Sequence, residues 1–121
     1  RRSLDSSEDL ILKAYDDHRD FFSENTVIGC VITNARLTKA QAVKLAGIGQ
    51  NGIARAVRPA HSIFDGDTIF TLCTGEVDAT FDAAAILAAR AVEVAIIDAV
   101  VNAESLHGFL SYRQLAARQY T

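Results

Sequence analysis

The chain has 121 residues, 50% of them hydrophobic and 22% charged, with a formal net charge of −3 at pH 7. That length supports one modest domain with its own core, and the composition is that of a globular protein. The acidic balance and the lack of a basic stripe to neutralise phosphates exclude nucleic acid and an anionic membrane as expected partners.

In chain order, Arg1–Ser7 is polar, and a short helix is expected from Ser7 through Tyr15, with Glu8 and Asp9 in its first turn. Asp16–Glu24 (DDHRDFFSE) reads as a helix end and linker. The composition changes sharply near Asn25, so residues 1–25 are expected to be a leader and residues 26–121 the domain proper.

Thr26–Thr33 is rich in β-branched residues and too short for a helix, which predicts a strand. Thr26, Ile28, Cys30 and Ile32 share one face, and Val27, Gly29, Val31 and Thr33 the other. Both faces are mostly apolar, as in a central strand. Gly29 leaves room for a close neighbour.

Thr38, with Gln41 three residues on, is a capping-box pattern that opens a second helix. Gly47, Gly49 and Gly52 within it predict tight packing against a neighbour, or a kink. Arg58-Pro59 ends it, because the residue before Pro is pushed out of the α region. Pro59–Asp67 is a loop, Thr68–Thr74 a second strand closed by Gly75, and Phe81–Ala103 the longest helix. On that helix Asp82, Arg90, Glu93 and Glu104 fall within about 80° of arc, a narrow wet stripe on an apolar cylinder. Arg90, Glu93 and Asp98 break the apolar run Ala83–Val101 and exclude a membrane span. Phe109–Tyr120 is expected to pack as a last short helix.

The pattern from Thr26 is β-α-β-α, which is half of a layered domain. Such a sheet needs further strands, from another segment or another copy. The chain contains no Met, so Arg1-Arg2 are expected to lie inside a longer natural protein. Cys30 and Cys73 lack metal-site spacing and are expected to be buried, reduced thiols in a cytoplasmic protein. Neither a metal nor another cofactor is called for.

Two places could carry chemistry. In an extended backbone Asp65 and Asp67 point the same way, and Gly66 between them permits close approach of another backbone. On its own the triplet reads first as an Asp-Gly turn with solvated carboxylates. His61 upstream reads as a surface loop residue. Thr26 reads on propensity as the first residue of a strand.

A resemblance adds to both. Asn25-Thr26 ahead of a strand, NARLTKAQAVKLA (Asn34–Ala46) and NGIARAVRPAHSIFDGDTIFTLCTG (Asn51–Gly75) resemble the C-terminal part of the P1 peptidase family. That family includes L-aminopeptidase/D-esterases, β-peptidyl aminopeptidases and nylon-oligomer hydrolases. The match covers roughly the final three-quarters of the chain. The resemblance implies an αββα sandwich like that of N-terminal-nucleophile hydrolases, to which this chain contributes the β-α-β-α half. It implies self-cleavage at Asn25-Thr26, with Thr26 as nucleophile and Asp65 and Asp67 as catalytic partners. It also implies the N-terminal portion of the same precursor as a partner, a homo-oligomer, and a peptide or small amide substrate.

The chemistry is coherent. A free α-amine has a pKa of about 7.7–8, so part of it is unprotonated near neutrality and can take the hydroxyl proton of its own residue. Nearby carboxylates favour the protonated amine, so Asp65 and Asp67 are assigned to orienting and polarising Thr26. Cys30 shares Thr26's face but lies about 13 Å along the strand, too far to be the nucleophile. The oxyanion donors of the family lie in its N-terminal portion. The competing reading is a truncated or unprocessed, non-catalytic assembly or binding module of the same fold.

Overall fold

The computed structural model describes residues 6–14, 26–63 and 65–119. Within them the order is α1 (Ser7–Lys13), β1 (Ile28–Ala35), α2 (Lys39–Ala56), β2 (Thr68–Val77), α3 (Phe81–Asn102) and α4 (Tyr112–Gln119). The expected linker Asp16–Glu24 and Asn25 lie outside the described residues.

β1 and β2 pair in parallel, from Ile28 opposite Thr68 to Thr33 opposite Cys73, with a register shift before Ala35 meets Val77. Parallel neighbours need a crossover, and α2 supplies it. β1 starts two positions later than Thr26, yet the carbonyl of Val27 still accepts from Thr68 N–H at 2.9 Å. β2 continues past Gly75 to Val77.

The period-2 alternation decides which face is covered. Val31, Ala35 and Ile69 are buried, while Ile28, Ile32, Phe70 and Leu72 on the opposite face are exposed. The described residues therefore form a two-layer α/β unit with α2 and α3 on one face of a two-stranded sheet. Cys30 lies on the uncovered face and is exposed, and Cys73 is half-buried. This corrects the expectation of two buried thiols: β1 has apolar residues on both faces, but only one face meets helices.

α2 begins where expected. Thr38 Oγ1 accepts from Gln41 N–H at 3.3 Å, and Gln41 Oε1 accepts from Thr38 N–H at 2.9 Å, a complete capping box. Such a cap contributes about 1 kcal/mol. Leu45 and Ile53, one face of α2, are fully buried. They share the core with a wall of alanines on α3, Ala84, Ala85 and Ala88, and Ala89 on the same helix is buried too.

Small residues on both helices let the backbones approach, and Gly52 marks the closest point. A Cβ there would lie 2.7 Å from Val92 Cβ and 2.9 Å from Glu93 N, and closer still to Ala89 O. Two of those three atoms are backbone, which cannot swing aside. Arg55 of α2 also pairs with Glu93 of α3 at 3.6 Å.

The alanine wall leaves Ile86, Leu87, Val94 and Ile97 of α3 exposed, while Phe81, Val92 and Ile96 pack against the core. Asp82, Arg90 and Glu104 of the charged stripe are exposed as expected, but so is Asp98 outside it, so the stripe is not the one wet side of the helix. No helix among the described residues is long and apolar enough to cross a membrane.

Candidate functional site

The parallel pairing carries the N-terminal end of β1 to the N-terminal end of β2. Thr26 thereby arrives beside Asp65-Gly66-Asp67, forty residues later in the chain. The backbone N–H of Val27 donates to Asp67 Oδ1 at 3.0 Å. Because Thr68 N–H donates to the Val27 carbonyl, the peptide units on both sides of Val27 are tied to the Asp67–Thr68 segment. The Thr26 hydroxyl lies against Gly66: a Cβ on Gly66 would sit 3.0 Å from Thr26 Oγ1. Any side chain at position 66 would crowd the hydroxyl or displace it.

The two aspartates are used differently. The Asp67 side chain is 8% exposed. A carboxylate so withdrawn from water requires polar partners, and it has one hydrogen bond and one imidazole contact. Oδ1 takes the Val27 N–H, and Oδ2 lies 3.4 Å from His61 Nδ1. The Asp67 carbonyl accepts from Gln50 Nε2 of α2 at 3.3 Å. The Asp65 carboxylate turns back into the loop, where Oδ2 accepts from Ser62 N–H at 2.6 Å while Asp65 N–H donates to the Ser62 carbonyl at 3.1 Å. Asp65 therefore fastens the loop, and Asp67 reaches the peptide that follows Thr26.

The structure thus brings together Thr26, Gly66 and Asp67, with Asp65 one residue beyond. Asn25 lies outside the described residues. Thr26 is exposed.

Two neighbours of the site were not legible in the sequence. His61 reads there as an isolated surface residue; the loop folds it back so that its ring faces Asp67. The one sequence signal is its place in the short run between Pro59 and Asp65. Gln50 is a polar residue on the packed side of α2 that supports the Asp67 backbone, and its Oε1 is buried with no partner among the described residues. A polar residue amid Leu45, Gly49 and Ile53 was the available clue.

The model of peptidase family S58 matches residues 3–113. An uncharacterized aminopeptidase of Mycobacterium leprae is 52% identical over 56 residues, which cover 46% of this chain and 16% of that protein. An uncharacterized aminopeptidase of Mycobacterium tuberculosis is 34% identical over 106 residues, 75% of this chain and 31% of that protein. The 6-aminohexanoate-oligomer endohydrolase of Paenarthrobacter ureafaciens is 30% identical over 71 residues, 51% of this chain and 20% of that enzyme. The chain spans less than a third of the length of these relatives.

Proposed function

Since the chain belongs to peptidase family S58, we propose that it is the nucleophile-bearing portion of a self-processing amide or peptide hydrolase with aminopeptidase-like activity. The names of the relatives support that reaction class. The observation that carries the residue assignment is the bond from Val27 N–H to Asp67 Oδ1. It holds the Thr26 end of β1 beside an acidic, nearly buried side chain, with the hydroxyl against Gly66.

In the precursor, Thr26 Oγ attacks the Asn25 carbonyl carbon. The Asn25–Thr26 C–N bond breaks, an ester forms at Oγ, and the freed nitrogen takes up the hydroxyl proton. Water then hydrolyses the ester, releasing Asn25 as a carboxylic acid and restoring the Thr26 hydroxyl beside a free α-amine. In turnover that amine accepts the hydroxyl proton as Oγ attacks the substrate carbonyl. The amine leaving group departs with a proton, and water releases the acyl group. Asp67 orients the segment that carries both groups, which matters because misplacement of a reacting group by about 1 Å can cost about 10²-fold in rate.

The same reading gives the rest of the precursor two tasks. It supplies the oxyanion donors, each of which contributes about 2.7–4 kcal/mol to acyl transfer. It also covers the open apolar face formed by Ile28, Ile32, Phe70 and Leu72, completing an αββα sandwich. That open face equally favours a second reading, a non-catalytic assembly module. Replacing Thr26 separates the two. Thr26→Ala in the complete gene product is expected to abolish both chain cutting and hydrolysis, and hydrolysis that survives the change would overturn the nucleophile assignment.

A further inference from the structure

His61 is outside the catalytic assignment, yet its geometry ties it to the site. Its backbone lies in the left-handed region at φ 59°. Non-glycine residues there are uncommon, and they persist where their surroundings fix them. The fixing groups are present. The next residue, Ser62, is bound at both its N–H and its carbonyl by Asp65. The turn Asp65 closes therefore sets the direction in which His61 projects. His61 Nδ1 then faces Asp67 Oδ2 at 3.4 Å, with the His61 side chain 43% exposed and that of Asp67 8% exposed.

We propose that His61 is a positioning residue for the Thr26 site, acting through Asp67. This rests on the assignment of Thr26 and Asp67 above. The two oxygens of Asp67 have separate partners. With the His61 ring against Oδ2 at 3.4 Å, the carboxylate is confined and Oδ1 stays on the Val27 N–H. That N–H belongs to the same planar peptide unit as the Thr26 carbonyl. The orientation of the unit sets the Thr26 Cα, which bears both the hydroxyl and the α-amine freed by cleavage. Without His61, Oδ2 loses that neighbour and the carboxylate is free to turn toward solvent. The role requires a polar nitrogen at this point, facing Oδ2. It also gives Asp65 a part in the site through the loop, since Asp65 secures the turn that presents His61.

The test uses two replacements in the complete gene product. Asparagine tolerates the left-handed region and carries its amide nitrogen at the same number of bonds from Cα as Nδ1. Glycine accepts the backbone freely and offers no donor. Self-cleavage is followed by gel and mass, and the cleaved enzyme is assayed with an aminoacyl p-nitroanilide. His61→Gly is expected to slow cleavage and to lower kcat by about tenfold to a hundredfold, with KM and thermal midpoint little changed. His61→Asn is expected to restore both rates to near the wild-type values. If Gly matches the wild type, or if Asn is no better than Gly, His61 only shapes the loop and the proposal is overturned. Thr26→Ala run alongside keeps the two claims apart. A cutting, active Thr26→Ala protein sinks the nucleophile reading and this proposal with it. An inert Thr26→Ala protein beside an undiminished His61→Gly protein sinks this proposal alone.

Discussion

Val27 N–H and Asp67 Oδ1 meet at 3.0 Å across forty positions of chain. Asp67 thereby accepts a bond that an adjoining strand would otherwise take, at the point where β1 has not yet entered its ladder. Removing the carboxylate should leave a backbone donor unpaired in a half-buried place, at a cost of about 1–3 kcal/mol. Asp67→Ala is expected to slow self-cleavage and turnover strongly and to lower the melting temperature. Asp67→Asn keeps an oxygen for the Val27 N–H and is expected to hold stability while still losing rate. Melting curves and single-turnover kinetics on the pair check this; equal rates in both variants and the wild type would demote Asp67 to a loop residue.

Asp65 should behave differently, because its carboxylate faces Ser62 N–H. Asp65→Ala is expected to loosen the loop between Pro59 and Asp67, with a smaller loss of kcat than Asp67→Ala. Limited proteolysis of the cleaved enzyme, with cuts mapped between residues 59 and 67, reads the loosening directly.

Gly66 offers a steric test. A methyl group at this position would stand 3.0 Å from Thr26 Oγ1, tight enough to push the hydroxyl aside without touching the core. Gly66→Ala is expected to impair chain cutting while far-UV circular dichroism and the melting temperature stay near the wild type. A rapidly self-cleaving Gly66→Ala protein would show that the hydroxyl does not need its place beside Gly66.

Gly52 is the opposite case, structural and remote from Thr26. An added Cβ would overlap Val92 and the α3 backbone, so α2 and α3 must separate. Overpacking of this kind costs about 1–3 kcal/mol. Gly52→Ala should lower the denaturant midpoint measurably, and Gly47→Ala should not, since a Cβ at Gly47 meets nothing within 4 Å.

Much of the fold was legible because local rules and packing agree. The Thr38–Gln41 capping box, the strand from Thr68 and the long helix from Phe81 all stand where pattern places them. The alternation in β1 correctly separates Ile28, Cys30 and Ile32 from Val31. What alternation could not say was which face meets the helices, and Cys30 fell on the other one. The alanine-lined side of α3 was also hidden, because a helix apolar all round does not announce its packed side. There, residue size decides: alanines admit α2 closely and leave Ile86, Leu87 and Val94 outside. At the site, Thr26 and Asp67 were legible as candidates through the family resemblance. The His61–Asp67 contact was not, because it depends on a left-handed backbone at His61 that no periodicity encodes.

The central claim is that the bond before Thr26 is cut by Thr26 itself. Intact-mass measurement of the purified complete gene product, incubated without other proteins, tests it most directly. The expected result is two fragments, one beginning at Thr26 and one ending at Asn25, both absent from the Thr26→Ala protein. A wild-type chain that stays whole under the same conditions, or a Thr26→Ala chain that is cut at the same bond, would contradict the account.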